Sequence, residues 1–282
     1  MMTTPLLELR QVCKTYGGGL FARRKTPAVR DVSFVLDAGQ PEVFAIIGES
    51  GSGKSTLARM VLGMSETTEG KILFRGLDMA RLGGRRARLD FMRQVQPIFQ
   101  NPFEAFNPLV RVDRYLYATA RNLAGASGQE EAEVASDRAL QQVGLSLAEV
   151  KGRFPHELSG GQLQRAAIAR ALIPGPALLV ADEPVSMIDA SLRMTIVNLF
   201  RELRDHLRVS IIYITHDLAT AYTISDRVMI MRHGEVVETG DARTVLSNPR
   251  HPYAIQLKES VLSIEGAWDD APEPAGQPAH GP

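Results

Sequence analysis

Gly48-Glu49-Ser50-Gly51-Ser52-Gly53-Lys54-Ser55-Thr56 is the stretch that decides the fold. It fits G-x-x-x-x-G-K-[ST], a glycine loop that cradles phosphates. Val43-Phe44-Ala45-Ile46-Ile47, just before it, has the length and composition of a buried strand. Leu57, Met60, Val61 and Met64, just after it, recur at helical spacing. Strand, glycine loop and helix thus follow one another as the motif requires. The amides of Gly51 to Thr56 are expected to point inward as an anion nest, and the positive end of the next helix adds to that field. Lys54 is expected to reach the β- and γ-phosphates of a nucleotide, and the Ser55 hydroxyl to bind Mg²⁺. The plainer reading, a Gly/Ser-rich turn with a solvated lysine, leaves the flanking strand and helix unexplained.

Composition bounds the rest. The chain has 282 residues, an apolar fraction of 44%, and 32 basic against 32 acidic residues. That suffices for a sizeable core, and the zero formal charge gives no sign of a nucleic-acid face or an acidic tail. The single cysteine, Cys13, excludes an internal disulfide and a cysteine-built metal cluster, and fits a reducing cytoplasm. No apolar run approaches the roughly 20 residues of a membrane span. The longest candidate, Ala166 to Ala181, is broken by Arg170, Pro174, Gly175 and Pro176. The N-terminus shows neither a charged n-region nor an apolar h-region, so no secretory signal is expected.

Outward from the loop, Leu6 to Val12 and Ala28 to Leu36 alternate as strands, the second antiparallel with one solvated face. Lys14 to Gly19 reads as a turn, and residues 17–26 as a loop. Gly70 to Phe74 and Val95 to Gln100 read as further strands. The arginine-rich run 81–93 reads as a solvated helix face. Residues 103–157 are more polar, with helical patterning around Asp113 to Leu123 and Glu130 to Val143, and form an inserted helical lobe that Pro155 ends. Leu158-Ser159-Gly160-Gly161-Gln162 opens a helix through Leu172 with a narrow stripe of Leu163, Ala166, Ala167 and Ala171. Ala177 to Ala181 is a buried strand running into Asp182-Glu183-Pro184. Asp189 is placed as N-cap of a helix to about His206, with Leu192, Ile196, Leu199 and Leu203 inward. Val209 to Thr215 is the next strand, ending at His216, and Arg227 to Glu238 is a hairpin turning at His233-Gly234. Alternating strands and helices imply an α/β fold with a largely parallel sheet. Residues 266–282, rich in Pro, Gly and Ala, are expected to be a mobile tail.

Triphosphate hydrolysis needs a metal, a positioned water and charge stabilisation around the γ-phosphoryl. Asp182, at a strand end expected beside the loop, is suited to bind Mg²⁺. Glu183, facing the other side of an extended chain, is suited to polarise the attacking water. Leu158-Ser159-Gly160-Gly161-Gln162-Leu163-Gln164-Arg165 then resembles the LSGGQ signature of ABC-type ATPases, over about residues 5–260. The resemblance implies a P-loop NTPase (RecA-like) core with an antiparallel β subdomain and an inserted helical subdomain (about residues 101–170). It implies Gln100 as the Q-loop residue and a metal-site member, Asp182 as the Walker B aspartate, Glu183 as the catalytic glutamate and His216 as the switch histidine. Tyr16 falls where the family stacks an aromatic on adenine. Ser186 to Asp189 falls at the D-loop, where Met187 and Ile188 depart from the usual Ala-Leu but stay apolar, and Asp189 is retained. Ser159, Gly160, Gly161 and Gln162, at a helix N-terminus with unpaired amides, are implied to meet ATP held by a second ABC ATPase subunit in a head-to-tail dimer.

Gly19 to Lys25, Asn101 to Pro108 and Asn248-Pro249-Arg250-His251-Pro252-Tyr253 resemble segments of the F-type ATPase subunit of oligopeptide and dipeptide importers. The cysteine cluster common in that branch is absent, so no iron–sulfur site is expected. The resemblance implies an ATP- and Mg²⁺-dependent subunit, peripheral on the cytoplasmic face of the inner membrane. A paralogous ATPase, permease subunits and, indirectly, an external solute-binding protein would be its partners, with no nucleic acid and with the cargo left open. The helical lobe would dock on the permease, and residues 246–265 form a branch-specific extension. An accessory ATPase of phosphonate breakdown, with the same His-Pro-Tyr ending, is the alternative. A soluble repair or translation ATPase would call for long coiled coils or two cassettes, and neither is present.

Overall fold

The computed structural model of the chain describes residues 4–17 and 26–269. Strand β1 (Leu7–Tyr16) pairs antiparallel with β2 (Thr26–Leu36), whose inward positions Val29, Val32, Phe34 and Leu36 are buried while the residues between them face solvent. This is the alternation expected of a sheet with one wet face. β1 continues through Lys14-Thr15-Tyr16, so these residues are strand rather than the turn their composition suggests. β3 (Val43–Ile47) is buried throughout and leads into the glycine loop and α1 (Lys54–Val61). β4 (Glu69–Phe74) adds to β1, and β5 (Leu77–Asp78) to β4, giving an antiparallel sheet in the order β2-β1-β4-β5. Most of loop 17–26, including the Gly19 to Lys25 run, lies outside the described residues.

α2 (Gly84–Gln94) exposes Arg85, Arg86 and Arg88, so the basic run is a solvated face as read. β6 (Val95–Ile98) follows. The chain then enters the helical lobe through α3 (Pro102–Ala105), α4 (Val112–Leu123), α5 (Gln129–Gln141) and α6 (Leu147–Val150), and leaves it along α7 (Gly160–Leu172). The stripe on α7 is far broader than its sequence suggests: Leu163, Gln164, Ala166, Ala167, Ile168, Ala169, Ala171 and Leu172 are all buried. Small side chains let α7 be enclosed by the lobe on one side and the main sheet on the other.

β7 (Leu178–Asp182), α8 (Ala190–Leu207), β8 (Ser210–Thr215), α9 (Leu218–Ile224), β9 (Arg227–Arg232), β10 (Glu235–Asp241), α10 (Ala242–Ser247) and α11 (Pro252–Asp269) complete the chain. The main sheet has the order β10-β9-β3-β8-β7-β6, parallel except for the β9–β10 hairpin edge. The hairpin turns at His233 and Gly234, both with positive φ. The strands of the parallel part are nearly continuous in apolar residues because helices or the small sheet cover both faces. Phe44 and Ile46 pack with Leu57, Met60, Leu9 and Phe74 on one side. Ala45 and Ile47 pack with Leu218, Val245 and Tyr253 on the other. Ile196, Leu199 and Leu203 of α8 point inward as expected, but Leu192 is 41% exposed, in a first turn of α8 that is itself mostly exposed. α11 extends to Asp269, so residues 266–269 are helical rather than part of a tail; residues 270–282 lie outside the described part.

Candidate active site

In an open parallel sheet, chemistry gathers at the carboxyl ends of the strands. Four strands deliver the expected residues to that edge: β3 the loop 48–54, β8 His216, β7 Asp182 and Glu183, and β6 Gln100. β7 is not the neighbour of β3; β8 lies between them, so Asp182 reaches the loop across one intervening strand. Gly48 to Gly51, Gly53 to Thr56, Gln100, Glu183 and His216 line one cleft of about 700 Å³.

The loop is tightly framed. A Cβ at Gly53, where φ is +105°, would stand 2.3 Å from the Ala28 carbonyl oxygen of β2; one at Gly48 would stand 2.3 Å from that of Met231 in β9. From the hairpin tip, Gly234 donates its amide to the Ser52 carbonyl at 2.9 Å. Ser52 is buried, and its amide bonds back to the Glu49 carbonyl at 3.1 Å. The amides of Gly53, Lys54, Ser55 and Thr56 have no acceptor among the described residues. This is the donor set that an anion at a helix N-terminus uses. Lys54 is 5% exposed, and its Nζ donates to the carbonyls of Gly48 at 2.6 Å and Glu49 at 2.8 Å. Burial pushes its ammonium below the ordinary lysine range, against the pull of Glu183, Asp182 and Glu49.

Glu183 is the meeting point. Gln100 Nε2 donates to its Oε2 at 3.1 Å, and His216 Nδ1 lies 3.1 Å from its Oε1. The residue is not extended: its φ is +47°, a left-handed conformation that costs about 1 kcal/mol for a non-glycine residue. The turn takes the carboxylate out of the strand and into the cleft, rather than to the far side of an extended chain. Burial pushes the Asp182 carboxyl above the ordinary aspartate range, opposed by a hydrogen bond from Ser55. Its Oδ1 is buried with no hydrogen-bond partner. An orphaned carboxylate oxygen beside a serine hydroxyl is a hard-oxygen donor pair that suits Mg²⁺. Gln100, with its NH₂ engaged on Glu183, has its amide oxygen left for such a cation.

The signature residues lie outside this cleft. Ser159 caps α7: its Oγ accepts from the Gln162 amide at 3.2 Å, while Gln162 Oε1 accepts from the Ser159 amide at 3.1 Å. This capping box means that two of the amides expected to be unpaired are satisfied, leaving those of Gly160 and Gly161 without an acceptor among the described residues. Asp189 stands at the N-cap of α8, but its carboxylate makes no capping bond. Tyr16, 43% exposed at the end of β1, does not line the cleft. Reading the sequence missed four contributors: Ala28, Leu257 and Ser260, which line the cleft, and Tyr253, whose hydroxyl accepts the Glu49 amide at 3.0 Å. They come from segments distant in sequence: Tyr253 belongs to the Asn248 to Tyr253 run, but no local pattern marks its contact with Glu49 or the place of the other three in the cleft.

The sequence profile described as ABC transporter matches residues 29–186, and that described as oligopeptide/dipeptide transporter, C-terminal region, matches residues 237–281. The chain is 39% identical to the oligopeptide transport ATP-binding protein AppF of Bacillus subtilis, over 91% of this chain and 78% of that one. It is 35% identical to the oligopeptide transport ATP-binding protein AmiF of Streptococcus pneumoniae, over 92% and 82%. Among solved structures, the dimeric post-hydrolysis state of the ATP-binding cassette MJ0796 bound to ADP and Pi superposes with a TM-score of 0.73 at 27% identity, covering 84% of this chain and 99% of that one. The chain therefore belongs to the ABC transporter ATP-binding proteins, in the group that carries the oligopeptide/dipeptide C-terminal region.

Proposed function

We propose that this chain hydrolyses ATP to drive import of peptides or a related small solute through a membrane permease. The observation that carries the reading is the convergence of Gln100 and His216 on Glu183, opposite a loop of unpaired amides and a buried lysine. The amides of residues 53–56 and Lys54 bind the phosphates. Glu183 accepts a proton from the attacking water at one carboxylate oxygen. Gln100 and His216 hold that carboxylate in place, and His216, 60% exposed at its side chain, is free to change partner when nucleotide enters. Ser55 and Asp182, with the Gln100 amide oxygen, would hold Mg²⁺, which neutralises phosphate charge in such reactions. Tyr16 is proposed to stack on the adenine.

The signature turn, which does not line its own chain's cleft, is read as completing the cleft of a second ATPase subunit. Around it Met187 is 63% and Leu192 41% exposed, and a Cβ on Gly161 would touch Leu192 at 3.1 Å. An apolar surface beside two unpaired amides suits a partner chain carrying a phosphate. For the permease, a groove of about 510 Å³ runs between α2 and the helical lobe, lined by Met64, Phe91, Met92, Phe99, Leu123 and Arg170. Among the described residues no helix is long and apolar enough to cross a membrane; attachment on the cytoplasmic face is proposed to run through this groove because of its apolar lining. An external solute-binding protein would act through the permease. Affinity purification of the chain from membranes tests the reading: a permease and a second ATPase should accompany it, and recovery with carbon–phosphorus bond-cleaving enzymes instead would overturn it.

A further inference from the structure

The peptide unit that opens the phosphate loop is held on both edges. Its carbonyl, that of Gly48, accepts from Lys54 Nζ at 2.6 Å, and its amide, that of Glu49, donates to Tyr253 Oη at 3.0 Å. Tyr253 lies 204 residues from Glu49 in sequence, in the first turn of α11, and is 1% exposed. Its ring packs with Ala45, Ile47, Val228 and Ile230, under the Arg232 guanidinium at 4.7 Å from the ring centroid. The approach to α11 is pinned as well. The Glu238 carboxylate accepts the amides of Arg250 and His251 at 3.0 to 3.1 Å, and His251 Nδ1 accepts the Tyr253 amide at 3.2 Å. Further along the same helix, Leu257 and Ser260 line the cleft. Nothing in packing alone requires a hydroxyl here, since a phenylalanine ring would fill the same space.

We propose that Tyr253 is a positioning residue of the ATP site, and that the segment from Glu238 to Ser260 fixes the first peptide of the phosphate loop in the orientation Lys54 needs. The inference rests on the reading that residues 48–56 bind nucleotide phosphate. It gives the C-terminal region a task inside the ATP site rather than beside it.

The test is Tyr253→Phe in the full-length chain, read by equilibrium binding of a fluorescent ADP and by hydrogen exchange. Losing one neutral hydrogen bond is expected to weaken nucleotide binding about 2- to 10-fold and to speed amide exchange in peptides spanning residues 44–57, with peptides across β6 and β7 unchanged. In a Lys54→Met background the same change should alter affinity less than about twofold, because the lysine it orients is gone; a purely structural role would give equal losses in both backgrounds. Glu238→Gln, which loosens the anchor without touching the ring, should weaken binding in the same direction. Unchanged affinity and exchange in Tyr253→Phe, or equal losses in both backgrounds, overturns the inference alone. A wild-type chain that binds no nucleotide overturns the phosphate-site reading and this inference with it.

Discussion

On the proposed role of Glu183, Glu183→Gln should separate nucleotide binding from turnover. The substitution keeps side-chain length and the φ of +47°, so the backbone strain of the site is unchanged. The carboxylate now receives Gln100 Nε2 on one oxygen and faces His216 Nδ1 on the other, each at 3.1 Å. A glutamine offers one oxygen and one NH₂, so one contact survives and the other survives only if His216 presents an unprotonated Nδ1. With His216 largely in solvent, the cost is at most one exposed hydrogen bond, about 0.5–1.5 kcal/mol. Nucleotide affinity should therefore move by less than about 10-fold. Loss of a general base removes about 10²- to 10⁴-fold of rate, or roughly 3–5 kcal/mol of barrier. Phosphate release by the membrane complex and fluorescence titration of the isolated chain measure the two quantities on one variant. Turnover within threefold of wild type, or an affinity loss as large as the rate loss, would refute the assignment of Glu183 as base.

Two further outcomes concern stability. Gly53→Ala places a Cβ 2.3 Å from a backbone oxygen at a φ of +105°, whereas Gly51→Ala, at a φ of +81°, meets nothing within 4 Å. The first should cost more than about 2 kcal/mol and the second about 1, and melting temperatures lowered equally by both would contradict the packing described. Asp182→Asn removes a desolvated charge whose pKa is raised in the folded state, so in metal-free buffer it should raise the melting temperature at neutral pH. The gain should fade as pH falls into the raised range of the wild-type carboxyl and vanish once that group is protonated in both states. A gain that persisted in acid, or none at neutral pH, would show that Asp182 is not held under strain by burial.

What could be read from sequence was local. The strand-loop-helix around residues 43–61 is decided by neighbours within one turn, and the β9–β10 turn by His233-Gly234. Glu183 and His216 are legible at the ends of buried strands, and Gln100 through the family resemblance, but not their convergence on one carboxylate, which the strand order sets. Periodicity misled where tertiary packing overrides it. α7 carries alanines that look neutral and are enclosed, while Leu192 has the spacing of a core residue but sits in the exposed first turn of α8. The left-handed Glu183 could not be foreseen, since nothing in Asp-Glu-Pro requires it. Tyr253 was legible as part of a run, and its contact with Glu49 was not.

The most direct trial of the account is Ser159→Arg, measured as nucleotide affinity of the isolated chain and as ATP turnover of the membrane complex. Because Ser159 lies outside its own chain's cleft, affinity should stay within about twofold of wild type while turnover falls by more than about 10-fold. Parallel losses of affinity and turnover, or full turnover in the complex, would contradict a site completed by a second chain.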